Sequence, residues 1–261
     1  MTPQSKTIHS ALGIDIGGSA LKAAPVDLRT GEFLQERFRI PTKPKESLRK
    51  MLRNIRILLE HFEWSGPVGI GYPGVVKHGK ICTAANLSKE WIGTPLAQRL
   101  ERSLKQPVSV LNDADAAGTA EMEFGAGRPF NKEGGGHVLM LTLGTGIGTA
   151  LFIDGKLIPN LELGHVHMHG MIAEHYTSAA VREKEKLDWK TWGKRLNEYL
   201  KLAEFYTSAD VLIIGGGVSS KHEKYFRFLK PNARVLPAGL GNHAGIVGAA
   251  MAVVREFGLP R

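Results

Sequence analysis

Apolar residues fall into short runs closed by glycine, alternating with stretches where they return every three or four positions. Residues 10–16 (Ser-Ala-Leu-Gly-Ile-Asp-Ile) predict a strand, Gly17-Gly18-Ser19 a turn and Leu21–Val26 its hairpin partner. Phe33–Ile40 predicts a third strand, so the chain opens as an antiparallel meander. Leu48, Met51, Leu52, Ile55, Leu58, Leu59 and Phe62 share one face of a helix between Pro44 and Gly66. Val68–Tyr72 reads as a short buried strand ending at Pro73-Gly74, Val108–Asn112 as another, and Ala114–Phe124 as a helix. After the break at 131–136 a similar order returns: strand Val138–Leu143, a second glycine turn, strand Ala150–Ile153 and a turn at Asp154-Gly155. Residues 173–206 predict helix, Val211–Ile214 a strand, Gly215-Gly216-Gly217 a turn, and Ala244–Val254 a closing helix of small residues.

Two strand-turn-strand units, each opening one half of the chain, predict two α/β domains with a cleft between them. Ligands of such folds sit at the carboxyl ends of strands, where both glycine turns fall. With 261 residues, 43% of them apolar, the chain can bury a full core. Its single cysteine, Cys82, excludes an internal disulfide and a thiolate zinc site and suits a reducing compartment. No leader and no run of membrane-spanning length are read, so a soluble cytoplasmic protein is expected. The formal charge of +9 points to a polyanion: nucleic acid, a membrane surface or an inorganic chain.

In the first turn, Asp15 stands at a strand end where it can hold Mg²⁺ directly or through water, while Gly17, Gly18 and Ser19 offer donors to phosphate oxygens. An ordinary hairpin turn is the other reading. The second turn, Thr142 to Gly148, is spaced G-x-G-x-G and runs into a β-like segment, which argues against a dinucleotide site. Asn112-Asp113 closes a buried strand and places a carboxylate where a phosphoryl acceptor needs a base; it also reads as a helix N-cap, and the two roles are compatible. Glu162-Leu163-Gly164-His165 and Glu174 suit a ligand rich in hydroxyls, or are ordinary solvent-facing side chains. His165, His167 and His169 alternate, so on a strand they share a face; a metal site and plain surface histidines both stay open.

Positive charge concentrates at Arg37, Arg39, Lys43, Lys45, Arg49, Lys50, Arg53 and Arg56, and again at Lys221, Lys224, Arg227, Lys230 and Arg234 after the triple glycine. Each set is a solvated face or part of a track for an extended polyanion. A nucleotide needs only a few cations, whereas polyphosphate carries a charge per phosphate.

The motifs together carry a resemblance. D15-x-G-G-S-x-x-K22, Gly71–Gly74, Asn86-Leu87 with Trp91, Asn112-Asp113-Ala114, Leu143 to Gly148, Glu162-x-Gly164-His165, Gly215 to Ser219 and Ala244 to Ala250 resemble the ROK family of sugar kinases over about residues 10 to 255. By overall pattern the likeness is to its polyphosphate-using members. The resemblance implies the actin/hexokinase-like (ribonuclease H-like) α/β fold. The expected division is a small domain over 1–112, with a C-terminal helix 244–257 packing back on it, and a large domain over 113–243.

It further implies a hexokinase that phosphorylates the 6-hydroxyl of glucose, with Asp113 as general base and Asp15 near Mg²⁺. Phosphate would be bound by Asp15, Gly17, Gly18, Ser19, Lys22, Thr142, Gly144, Thr145, Gly146 and Gly148. The sugar would be held by Pro73, Gly74, Asn86, Asn112, Asp113, Glu162, His165 and Glu174. Gly215, Gly216, Gly217 and Ser219 would lie at the nucleotide or distal phosphate. Polyphosphate is the expected donor with ATP beside it, in a cytoplasmic homodimer that uses neither nucleic acid nor membrane. The family's cysteine-rich zinc motif is replaced here by Val166-His167-Met168-His169-Gly170-Met171-Ile172, so its zinc is not expected. Two alternatives remain: a strictly ATP-dependent gluco- or mannokinase, and a sugar-sensing regulator.

Overall fold

Alternation of large and small residues builds the first sheet. In β1 (Ser10–Ile16), Leu12, Ile14 and Ile16 point to one face, and Ala11, Gly13 and Asp15 to the other. β1 pairs antiparallel with β2 (Ala20–Asp27), and β2 with β3 (Phe38–Pro41). The third strand is therefore shorter than the expected Phe33–Ile40. A single bridge joins Phe33 to Val26, and exposed Leu34, Gln35, Glu36 and Arg37 then leave the ladder, three of them polar side chains that gain nothing from a sheet face. α1 (Leu48–His61) starts at Ser47, whose hydroxyl accepts from the Lys50 N–H, and lays Leu48, Met51, Ile55, Leu58 and Leu59 on the large-residue face of the sheet. β4 (Val68–Tyr72) runs parallel to β1. A small hairpin, β5 (Val76–Lys77) and β6 (Lys80–Ile81), and a short helix, α2 (Leu96–Leu104), lead to β7 (Val108–Asn112), parallel to β4, and then to α3 (Asp113–Phe124).

The second sheet begins with β8 (His137–Leu143), antiparallel to β9 (Ile147–Ile153), itself antiparallel to β10 (Lys156–Ile158). β9 starts at Ile147 and not at Ala150, so Gly148 lies in the ladder opposite Thr142 and the turn narrows to Gly144-Thr145-Gly146. A two-residue hairpin follows, β11 (His167–Met168) with β12 (Met171–Ile172). The single helix expected over 173–206 is three: α4 (Ala173–Thr177), α5 (Ala179–Lys184) and α6 (Trp189–Thr207). Ser178 and Asp188 break it, because each takes an extended backbone and turns its side-chain oxygen onto the next helix's free N–H, of Val181 and Thr191. β13 (Val211–Gly215) is parallel to β8, β14 (Arg234–Pro237) is parallel to β13, and α7 (Ala244–Phe257) is the last element among the described residues.

The computed structural model describes residues 9–43, 45–84 and 87–257. The strand orders are β3-β2-β1-β4-β7 and β10-β9-β8-β13-β14, the same succession of antiparallel and parallel pairings in both sheets. The chain forms two compact units, Met1–Ala117 with Gly245–Arg261, and Gly118–Ala244. In the first, α7 covers the small-residue face of its sheet. A Cβ on Gly13 or Gly69 would collide with the carbonyl oxygens of Ile246 and Ala249, so glycine is what lets the helix backbone approach. In the second, α6 seats Trp192, Leu196, Tyr199, Leu200 and Ala203 against one face of its sheet, while Met122 of α3 packs on the other beside Met140 and Phe152. Among the described residues no helix is long and apolar enough to cross a membrane.

Candidate active site

The alternation that puts Gly13 under α7 also puts Asp15 there. Asp15 is two residues further along the same face, at the strand end, and a Cβ on Gly245 would stand 3.3 Å from its carboxyl carbon. It thus faces the first turn of α7, where the helix dipole favours a negative group. Lys22, its cross-strand partner on β2, reaches Asp15 Oδ2 at 3.3 Å. In the turn between them the Gly17 amide donates to Ala20 O at 2.9 Å, and Gly18 and Ser19 are exposed at the tip. A Cβ on Gly18 would meet nothing within 4 Å, so packing leaves room for an anion to reach the backbone there.

Asp15 pairs in register with Gly71 on β4, at the ~4.8 Å spacing of neighbouring strands. A Cβ on Gly71 would lie 3.6 Å from the Cα of Asp113, in the first turn of α3. The missing side chain at Gly71 therefore brings the two carboxylate-bearing positions, Asp15 and Asp113, to one face with nothing rising between them. Sequence reasoning named both aspartates but not this floor; its signal was the small residue repeated at Gly69 and Gly71.

Asn112 is largely committed to structure. Its Oδ1 accepts from the amides of Ala114 (2.8 Å) and Asp115 (3.0 Å), capping α3, while Nδ2 donates to Gly74 O at 3.1 Å. The N-cap expected of the Asn-Asp pair is thus Asn112, and Asp113 follows it half-buried. Gly74, after Pro73, has φ +155°, and a Cβ there would press on Thr83. Asn86 lies outside the described residues.

In the second unit, Gly144 and Thr145 are exposed at the tip of the β8–β9 turn, where the Gly144 amide donates to Gly146 O. A Cβ on Gly146 would collide with Glu174 Oε2, which accepts from the Ile147 amide at 3.4 Å. Glu174, at the start of α4, is therefore locked to the turn. Glu162 leads into a 3-10 turn, Leu163–His165, and its Oε2 stands 3.3 Å from His165 Nδ1. The two glutamates sense each other's charge. Buried Tyr199 of α6, which sequence reasoning missed, also lies within the field of Glu174; burial pushes its phenol up, and that charge pushes it further. Its only sequence signal was its place on the buried stripe of Trp192, Leu196 and Ala203.

Burial raises the Glu162 carboxyl pKa; His165 offsets part of that rise and Glu174 adds to it. A carboxyl that holds its proton more tightly folded than unfolded supports the fold below the ordinary carboxylate range, and that support is lost as pH climbs through the raised value. Glu162→Gln, with no charge to bury, is expected to melt above the parent at neutral pH, the gap closing as pH falls. Paired thermal melts between about pH 4 and pH 8 check this.

Gly216, with φ +81°, lies so close to Leu143 that a Cβ would strike its carbonyl. The triple glycine is thus pinned beside the second turn, with Gly217 exposed, Gly215 in the end of β13, and the Ser219 hydroxyl donating to Gly216 O at 2.8 Å. The three histidines do not share a strand face. His165 ends a 3-10 turn, His167 sits in β11, and His169 has φ +51° and contacts Glu198 at 2.8 Å. Among the described residues no cluster of three or more His, Cys, Asp or Glu could hold a metal ion. The cations from Arg37 to Arg56 are all exposed, though Lys50 pairs with Glu46 and Arg56 donates to Ser103.

The ROK family model matches residues 11–186. A polyphosphate glucokinase of Mycobacterium tuberculosis H37Rv is 42% identical over 256 residues, 98% of this chain and 95% of the relative. Among solved structures, the inorganic polyphosphate/ATP-glucomannokinase of Arthrobacter sp. strain KM superposes with a TM-score of 0.89 at 40% identity, covering 95% of this chain and all of that one. A ROK family glucokinase of Streptomyces griseus, solved with glucose and AMPPNP, gives 0.77 at 25% identity over 92% and 98%. The fold is the actin/hexokinase-like one, and the chain belongs to the ROK family.

Proposed function

We propose that this chain transfers the terminal phosphoryl group of inorganic polyphosphate to the 6-hydroxyl of glucose, giving glucose 6-phosphate, with ATP as a second donor. The carrying observation is Asp113, held over Gly71 beside the register position of Asp15. Asp113 accepts the hydroxyl proton as the new O–P bond forms and the bridging P–O bond of the donor breaks. Glu162, His165 and Glu174 bind sugar hydroxyls, and Asn112 fixes Gly74 and the start of α3. The exposed amides of Gly18, Ser19 and Thr145, with Lys22, bind phosphate oxygens. Gly217 lies beside the more distal phosphates.

Asp15 fits magnesium, because that ion is commonly held by one or two carboxylates, with water and substrate phosphates completing its shell. Bound there, it neutralises charge on the phosphoryl oxygens. The donor assignment is supported by the likeness to a named polyphosphate glucokinase over nearly the whole chain and by the exposed cations. Exposed Phe205 and Tyr206 at the end of α6 support a homodimer, and the single cysteine a cytoplasmic setting. Mannose is a second acceptor to test.

The test is a donor panel of ATP and polyphosphates of several lengths on glucose and mannose. Polyphosphate turnover that falls steeply with added salt is the expected result. Turnover with ATP but none with polyphosphate would sink the donor assignment.

A further inference from the structure

Two cations of the second unit reach the same ring. The Arg182 guanidinium lies 3.5 Å from the centre of the Trp189 ring, and Lys224 Nζ lies 5.9 Å from it. Among the described residues neither has a carboxylate within ion-pairing distance. Arg182 Nε is buried without a hydrogen-bond partner, so the ring and not a hydrogen bond holds the group in place. A guanidinium carried on an indole keeps outer N–H donors for a phosphate. Trp189 is itself seated: it stacks on Tyr225 at 5.8 Å with 16° between the planes and meets Trp192 edge-on.

Both arms are tied to the glycine turns. Arg182 stands on α5, where the Ala180 amide donates to Gly144 O at 3.1 Å. Lys224 ends the 3-10 segment Ser219–Lys224 that leaves the triple glycine, and the Tyr225 hydroxyl donates to Val218 O at 3.4 Å. Since Gly216 abuts Leu143, the two turns and the two cations form one continuous stretch of the second unit. Exposed Lys221 and Arg227 extend it.

We infer that Arg182 and Lys224, carried on Trp189, form a remote subsite for the distal phosphates of a long polyphosphate chain, so that donor length is sensed there. This rests on the polyphosphate reading above. It explains why the stacked arginine makes no ion pair among the described residues, an arrangement that a short donor bound at the turns alone does not require.

The experiment compares the parent with Arg182→Gln/Lys224→Gln, using long-chain polyphosphate and tripolyphosphate in parallel. The half-saturating concentration for the long chain is expected to rise about tenfold relative to that for tripolyphosphate, as loss of a charge-assisted contact implies. An equal change for both lengths, or none, overturns the subsite. Lys224→Gln alone, at an exposed position, is expected to give part of the shift and guards against a folding defect from the Arg182 change. If the parent turns over no polyphosphate, the donor reading falls. The subsite is then decided by equilibrium binding of fluorescent long-chain polyphosphate, where binding lost only in the double variant sustains it and binding equal in both overturns it.

Discussion

Asp113→Asn is expected to lower kcat by about 10³-fold while glucose still binds, because removing a positioned general base costs on the order of 10²–10⁴. The substitution keeps the shape of the side chain and removes only its ability to take the hydroxyl proton. Folding is expected to survive it, since Asn112 caps α3. The charge lost from the helix's first turn is worth only about 0.3–1 kcal/mol. Steady-state kinetics with a parallel glucose titration separate the outcomes. A parent-like kcat would remove Asp113 from proton transfer, and loss of glucose binding with kcat retained would make it a sugar ligand only.

The largest stability loss is expected at Glu121, whose carboxylate is fully buried on α3. Oε2 accepts from the amides of Ala126 and Gly239, both at 2.9 Å, and Oε1 from Leu240 at 2.7 Å. Glu121→Leu leaves three amides without an acceptor, at about 1–3 kcal/mol each, a large share of the ~5–15 kcal/mol that holds a domain. Glu121→Gln still offers one acceptor oxygen and is expected to lose less. Urea melts of both variants give the ranking; if both stay within about 1 kcal/mol of the parent, the carboxylate does not hold the loop.

Strand and helix periodicity made most of the frame legible, because β1, β2, α1, β4 and β7 bury a strongly apolar face and β8 and β13 bury two. The elements that escaped have weaker patterns. α2 offers only Leu96, Ala97 and Leu100 to the core, and β14 ends in a proline. The breaks at Ser178 and Asp188 depend on side chains competing with the helix backbone, which apolar spacing does not register. In the candidate site, Asp15 at the end of β1 and Asp113 just after β7 were readable as carboxylates at strand ends. Glu121, Tyr199, Arg182 and Trp189 were not, since their contacts depend on how separate elements pack: Glu121 on Gly239 and Leu240, Tyr199 on Glu174, and Trp189, which carries Arg182, on Tyr225.

Because α7 covers the face of the first sheet that carries Gly13 and Gly69, that sheet is completed by a segment synthesised only after the whole of the second unit. The Gly118–Ala244 unit is contiguous in sequence and can assemble before α7 has been made. The face bearing Asp15 stays uncovered until α7 is made, so a chain cut short before residue 245 has Glu162 and Glu174 in a complete unit and the proposed base, Asp113, in an unfinished one.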